Sequence, residues 1–235
     1  MKNIGLKFLI VLGLLLMASP SQAWNDKTHL AISKAAGFGM WYNSAGPDIA
    51  KLKAGNIESY NHWFNNNAEF EITPQMVLDQ IERYNKRNKG LDEEGHLLGA
   101  IIASLRAYEK DSRTGKYALY HFVYCAHYIG DLTMPLHNMA YDDFNIQYHQ
   151  ANDGVVEEAI LDQTQKIVQR MYAIKLSRDD FEADLAREIA RIANISRKLG
   201  YKLRAEKRSM TIEEAYEQLG HSASLLKAVL RHYNQ

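Results

Sequence analysis

Residues 117–137 read YALYHFVYCAHYIGDLTMPLH, and the character of the whole chain follows from them. The stretch is apolar on most sides at helical period, the pattern of a central helix packed all round by other helices. Among its polar residues His127 and Asp131 stand four apart and so on one face. A buried imidazole and a buried carboxylate need partners, and both are zinc ligands. Pro135 cannot continue an α-helix, so the chain should bend there and re-aim His137 towards the same cavity. Downstream, His149 and Asp153 repeat the His-x-x-x-Asp spacing, placed by the sequence on the first turn of a further helix.

Outward from this segment the signals stay helical. Thr73-Pro74 is an N-cap followed by proline at the first helical position. Glu93–Lys110 places Leu97, Leu98, Ile101, Ile102, Leu105 and Tyr108 at helical spacing, with Gly90 as the stop of the helix before it. Later helices should start at Ser177, with Asp180 three residues on, and at Thr211, where Glu214 completes a capping box. They should run to Arg197 and to Tyr233. No alternation argues for a strand, so the predicted fold class is all-α, a single helical domain over residues 24–235. Phe38–Asn67, rich in Gly, Asn and aromatics, is the predicted irregular region, and long loops often carry function.

Residues 1–23 differ in kind. Lys2 and Lys7, an apolar run from Phe8 to Ala18 and a small-x-small end at Ala23 have the form of a cleavable signal peptide. Cleavage after Ala23 would make Trp24 the first residue of a secreted or periplasmic protein. The whole chain carries 28 basic and 28 acidic residues; without Lys2 and Lys7 the balance is 26 against 28, net −2, which gives no footprint for broad capture of nucleic acid. Cys125 is the single cysteine, so no intramolecular disulfide framework is available, and it reads as a small buried hydrophobe.

Ala118–His137, the His149/Asp153 pair and Trp24-Asn25-Asp26-Lys27-Thr28-His29 together resemble the zinc-dependent phospholipase C/S1–P1 nuclease superfamily. The resemblance covers residues 24–235 and implies an all-helical phosphodiesterase with three Zn2+ ions. Residue by residue it implies Trp24 (amine and carbonyl), His29, Asp48, His62, His127, Asp131, His137, His149 and Asp153 as ligands, with Asp48 and Asp131 catalytic. Asp48, His62, His127 and Asp131 would hold one ion; Trp24, His29 and Asp131 a second, with Asp131 as the bridge; His137, His149 and Asp153 a third, more exposed one. Asp48 would orient the attacking water.

His96, His121, His221 and His232 fall outside this set, and His121, off-phase with His127, reads as a core or supporting residue. Phe38, Trp41, Tyr42, Trp63 and Phe64 could line a cleft, touch lipid or simply pack in the core. Thr28-His29-Leu30 and the His127–Asp131 run look more like the phospholipase C branch, with a phospholipid substrate and transient contact with a membrane surface. Ile49 and Ser59 stand where that branch builds its choline cage, which argues against choline specificity. The alternative is an S1/P1-type single-strand nuclease acting on nucleic acid. A third reading, from another class, is a zinc-binding envelope protein without catalysis. No protein partner is implied.

Overall fold

The computed structural model describes residues 24–54, 56–67, 71–86 and 94–235. The signal-peptide segment 1–23, the Gly90 stop and Glu93 itself lie outside the described residues; the helix expected over Glu93–Lys110 spans Leu97–Arg113, with residues 94–96 outside it. Among those described, ten α-helices and three short 3-10 turns account for the regular structure, with no strand. The all-α expectation holds.

The N-terminal helix α1 (Asp26–Ala36) follows directly on Trp24, which is fully buried. Two short helices come next, α2 (Gly46–Ala54) and α3 (Asn56–Ser59), after a 3-10 turn at Trp41–Asn43. The expected irregular region 38–67 is therefore about half helical: Pro47 sits in the first turn of α2, where its missing N–H is harmless, and Asp48 beside it suits the positive helix end. Then come α4 (Pro74–Gln80), α5 (Leu97–Arg113), α6 (Leu119–Leu132), α7 (Asp143–Asp153), α8 (Thr164–Val168), α9 (Phe181–Glu206) and α10 (Ile212–Tyr233).

Several caps act as the sequence indicates. The Thr73 hydroxyl accepts from Met76 N, and Thr211 and Glu214 form the full capping box of α10. Helix α9 departs from expectation at both ends. It starts at Phe181, not Ser177, because Ser177 is used just before it: its hydroxyl accepts from Asp180 N and its own N–H donates to Asp184. It also continues nine residues beyond Arg197, to Glu206, straight through Gly200. A Cβ at Gly200 would lie 3.0 Å from both Met139 Sδ and the Pro135 carbonyl, so this glycine permits close packing of α9 on the turn at Pro135 instead of ending the helix.

Helix α6 lies at the centre, against α1, α2, α5, α9 and α10. Phe122, Ile129 and Leu132 of α6 and Ile101, Ile102 and Leu105 of α5 are essentially inaccessible, each burial favouring folding by about 1.5–3 kcal/mol. Cys125 is buried among them with its thiol pushed up to about 12 by burial, inert as expected. Helix α6 ends at Leu132, and the chain turns at Pro135 into a 3-10 segment, Pro135–Asn138.

Candidate metal centre

The eight side chains proposed as ligands from the sequence converge around one end of α6, and all are buried. His127 and Asp131 stand one turn apart on α6 with Nε2 and Oδ2 at 3.3 Å. His29 arrives from α1, its ring stacked on that of His127 at 3.8 Å. The approach depends on Gly130, where a Cβ would lie 2.5 Å from His29 Nδ1. Asp48 comes from α2, His62 from the loop after α3, and His137 from the 3-10 turn that Pro135 starts. His149 and Asp153 come from α7, with His149 in its second turn, not the first as the sequence suggested; Asp142 caps this helix through Asn145 N.

Asp131 divides its two oxygens. Oδ1 faces His29 Nε2 at 3.3 Å and His137 Nδ1 at 3.9 Å, whereas Oδ2 faces His62 Nδ1 at 2.9 Å and His127 Nε2 at 3.3 Å. Asp48 Oδ1 lies 3.7 Å from His62 Nδ1 and 3.6 Å from His127 Nε2. At the far side, His137 Nε2 and His149 Nε2 are 3.1 Å apart, with Asp153 Oδ2 3.5 Å from the latter. Three groups of mutually close ligand atoms result: His29/His127/Asp131, Asp48/His62/His127 and His137/His149/Asp153. His127 thus belongs with His29 as well as with Asp48 and His62. The third group is buried like the others, although His137 and His149 also line the cleft.

The supporting contacts fix which nitrogens face inward. His127 Nδ1 is 2.8 Å from the Ser44 carbonyl, an acceptor, so Nδ1 carries a hydrogen and Nε2 is the nitrogen turned into the site. Asn145 Oδ1, 2.6 Å from His149 Nδ1, does the same there. Glu58 Oε1 lies 3.4 Å from His62 Nε2 and accepts from Tyr128 Oη at 2.7 Å, while Glu58 Oε2 accepts from Asn61 Nδ2 at 3.0 Å; His62 Nδ1 faces Asp131. Such outer partners set tautomer and ring orientation in metal sites. None of Ser44, Glu58 or Asn145 was singled out from the sequence, although Glu58–His62 and Asn145–His149 have the i,i+4 spacing that could have flagged them.

The electrostatics are compatible with bound cations. His137 Nε2 and His149 Nε2 lie 3.1 Å apart, and Asp131 Oδ1, Asp153 Oδ1, His137 Nδ1, His62 Nε2 and both His29 nitrogens are buried without a hydrogen-bond partner. Burial, reinforced by the carboxylates of Asp131 and Asp48, pushes the Asp153 carboxyl well up. Burial lowers His137 to about 4, leaving its ring neutral and available as a ligand. Burial also opposes protonation of His127, but the Asp131 and Asp48 carboxylates outweigh it and raise the ring to about 10. Against its own burial, Asp131 is held well down by His127, His29 and His62. A cation at each group would relieve these conflicts, and imidazole nitrogen with carboxylate oxygen is a donor set that suits zinc.

Trp24 is buried beside this cluster's support: the N–H of Asn25 donates to the Asp153 carbonyl at 3.4 Å. Glu157, one turn beyond Asp153, accepts from Lys27 N, Thr28 N and the Thr28 hydroxyl at 2.9–3.0 Å, capping α1 from 130 residues away. His121 pairs with Asp111, His221 meets Tyr172 and His232 stacks on Phe181; none supports the cluster. His96 does so at one remove, through Asn61 at 2.8 Å.

A cleft of about 770 Å³ opens onto the cluster, lined by Lys51, His62, Trp63, Phe64, His137 and His149 among others. Of the loop aromatics, Trp63 and Phe64 line it, Phe38 packs on Phe122 in the core, and Tyr42 is exposed.

Fold and site together define an all-α protein with three buried His/Asp groups able to hold metal ions. No protein-family model, no curated protein and no solved structure matches the chain.

Proposed function

We propose that this protein is an exported zinc-dependent phosphodiester hydrolase of the phospholipase C type, with Trp24 as the first residue of its mature form. The observation that carries the proposal is the division of Asp131, whose two oxygens face two separate sets of nitrogens as a bridging carboxylate must. Bound zinc would supply Lewis acidity, lowering the pKa of water and neutralising charge on the phosphoryl oxygens.

The protein's own residues do the rest. Asp131 would help hold two of the ions, and Asp48 would accept a hydrogen bond from the attacking water and aim it. The water oxygen bonds to phosphorus, the bond from phosphorus to the glycerol oxygen breaks, and that oxygen takes up the proton the water gives. Diacylglycerol and a phosphomonoester leave. Ser44, Glu58 and Asn145 hold the imidazoles in register, so little reorganisation is needed during reaction. Trp63, Phe64 and Leu136 give the cleft apolar walls, suited to the hydrophobic part of a lipid.

The T-shaped pair of buried Tyr60 and half-buried Trp63 in the cleft wall is the feature favouring a single-strand nuclease, since an accessible aromatic face stacks bases. The deciding experiment gives zinc-loaded protein 24–235 mixed micelles of several phospholipids and, in parallel, single-stranded DNA and RNA. Release of diacylglycerol without nucleic-acid cleavage is expected. Nucleic-acid cleavage alone moves the protein to the nuclease branch, and inactivity on every phosphodiester at full zinc loading sinks the hydrolase proposal.

A further inference from the structure

Lys51 has no part in the chemistry above, yet it is one of few buried charged residues. It follows Asp48 by three positions on α2, is 8% exposed, and reaches its ammonium to 2.5 Å from Asp48 Oδ1. The same side chain lines the cleft, next to His62. Among the described lining residues it is the one permanent cation, and the one carboxylate is Glu94, which sits at the solvent-exposed margin near Arg83.

A desolvated ammonium needs a compensating anion. In the metal-loaded centre Asp48 would share its charge with a metal, and three carboxylates (Asp48, Asp131, Asp153) already face up to three dications. The mouth of the site then keeps a surplus of positive charge, with Lys51 contributing on the cleft side. A phosphodiester brings one negative charge. A headgroup carrying an ammonium or trimethylammonium would put a further cation into the field of Lys51, with no buried carboxylate among the described lining residues to receive it. The neighbouring Ile49 cannot help, since it points to solvent at 63% exposure. Hydroxyl or anionic groups, by contrast, accept hydrogen bonds from an ammonium. Asn65 and Asn67 on the same wall add polar backbone and amide groups suited to a polyol.

Resting on the phosphodiesterase assignment, we propose that Lys51 determines headgroup specificity: the cleft takes phospholipids whose headgroup is a polyol or carries extra negative charge and no cation, and discriminates against choline and ethanolamine lipids.

The test uses zinc-loaded protein 24–235 as wild type, Lys51→Met and Lys51→Arg. Substrates are phosphatidylglycerol, phosphatidylinositol, phosphatidylcholine and phosphatidylethanolamine, each in uncharged detergent micelles. Zinc content and circular dichroism are measured for each variant. Wild type should prefer the first two lipids by about tenfold or more in kcat/KM, the scale of one poorly screened charge contact. Lys51→Met should erase that preference chiefly through KM, with zinc retained, and Lys51→Arg should keep it. Inorganic phosphate, titrated calorimetrically, should bind the Met variant more weakly than wild type. An unchanged headgroup ratio in Lys51→Met, or loss of zinc from it, overturns the proposal, the latter because Lys51 would then be a structural partner of Asp48. If wild type cleaves neither these lipids nor bis(4-nitrophenyl) phosphate, the phosphodiesterase assignment has failed. The phosphate titration still judges Lys51 in that case, and equal affinity in both proteins overturns its anion-binding role.

Discussion

Asp131 faces four histidines with two oxygens, and Asp153 faces one with a single close oxygen. That asymmetry predicts unequal damage from the same chemical change. Asp131→Asn should lose about two of three bound zincs and Asp153→Asn about one, as read by elemental analysis of protein purified without chelator, with helicity retained by circular dichroism. Equal losses from the two variants would remove Asp131 from its bridging place. His127/Asp131 and His149/Asp153 were legible in the sequence because each pair lies on one helix, where spacing alone fixes a shared face. Asp48 and His62 sit on different pieces of chain, and only resemblance to a family suggested them. Glu58 and Asn145 had the right spacing from His62 and His149 but offered nothing to separate them from ordinary helix-surface pairs. Glu157 acts on α1 across 130 residues, a distance at which no local rule applies.

A helix start written in its own adjacent residues was legible, whereas both ends of α9 were not. The Thr211 cap illustrates why: a capping box is written in four adjacent residues and needs no tertiary information. Its Glu214 is also bound by Arg208, whose guanidinium is the main cause holding the carboxyl well below the usual range, with the Thr211 N–H and Lys202 adding to it. A carboxyl whose pKa falls on folding contributes stability above its unfolded value, near 4.3, and that contribution is lost as pH drops through the lower folded value. Thr211→Ala should cost about 1 kcal/mol at neutral pH. Glu214→Gln should destabilise at pH 7 while flattening the decline in stability between about pH 4.3 and lower values, as followed by urea unfolding monitored by circular dichroism. A wild-type-like acid slope in Glu214→Gln would mean that other carboxylates carry it. The end of α9 shows the opposite case. Gly200 has the composition of a stop, but its role, letting the helix lie close on the Pro135 turn, exists only in the folded molecule. Likewise 38–67 has loop composition throughout, and its two short helices hold because they pack beside α6, not because their residues favour helix.

For the molecule as a whole, the proposal ties export to activity. If the α-amine of Trp24 is a ligand, the site is incomplete until residues 1–23 are removed, since an acylated nitrogen offers no lone pair to a metal. Protein beginning at Trp24 and protein with one added Met before it should both be helical, with the extended form short by about one zinc and inactive. Equal zinc and equal turnover would reduce Trp24 to a buried aromatic that anchors α1. Cys125, alone and inaccessible in α6, meanwhile leaves the chain without covalent stitching. The side chains proposed as ligands run from His29 to Asp153 and come from six separate segments, whereas α9 and α10 supply none. Three bound ions would therefore act as reversible cross-links over the first two-thirds of the chain, the longest closing the 102 residues from His29 to Asp131 that an unfolded chain could otherwise explore. Such a protein draws its cross-links from the surrounding solution, so its resistance to unfolding should rise and fall with the free metal concentration there.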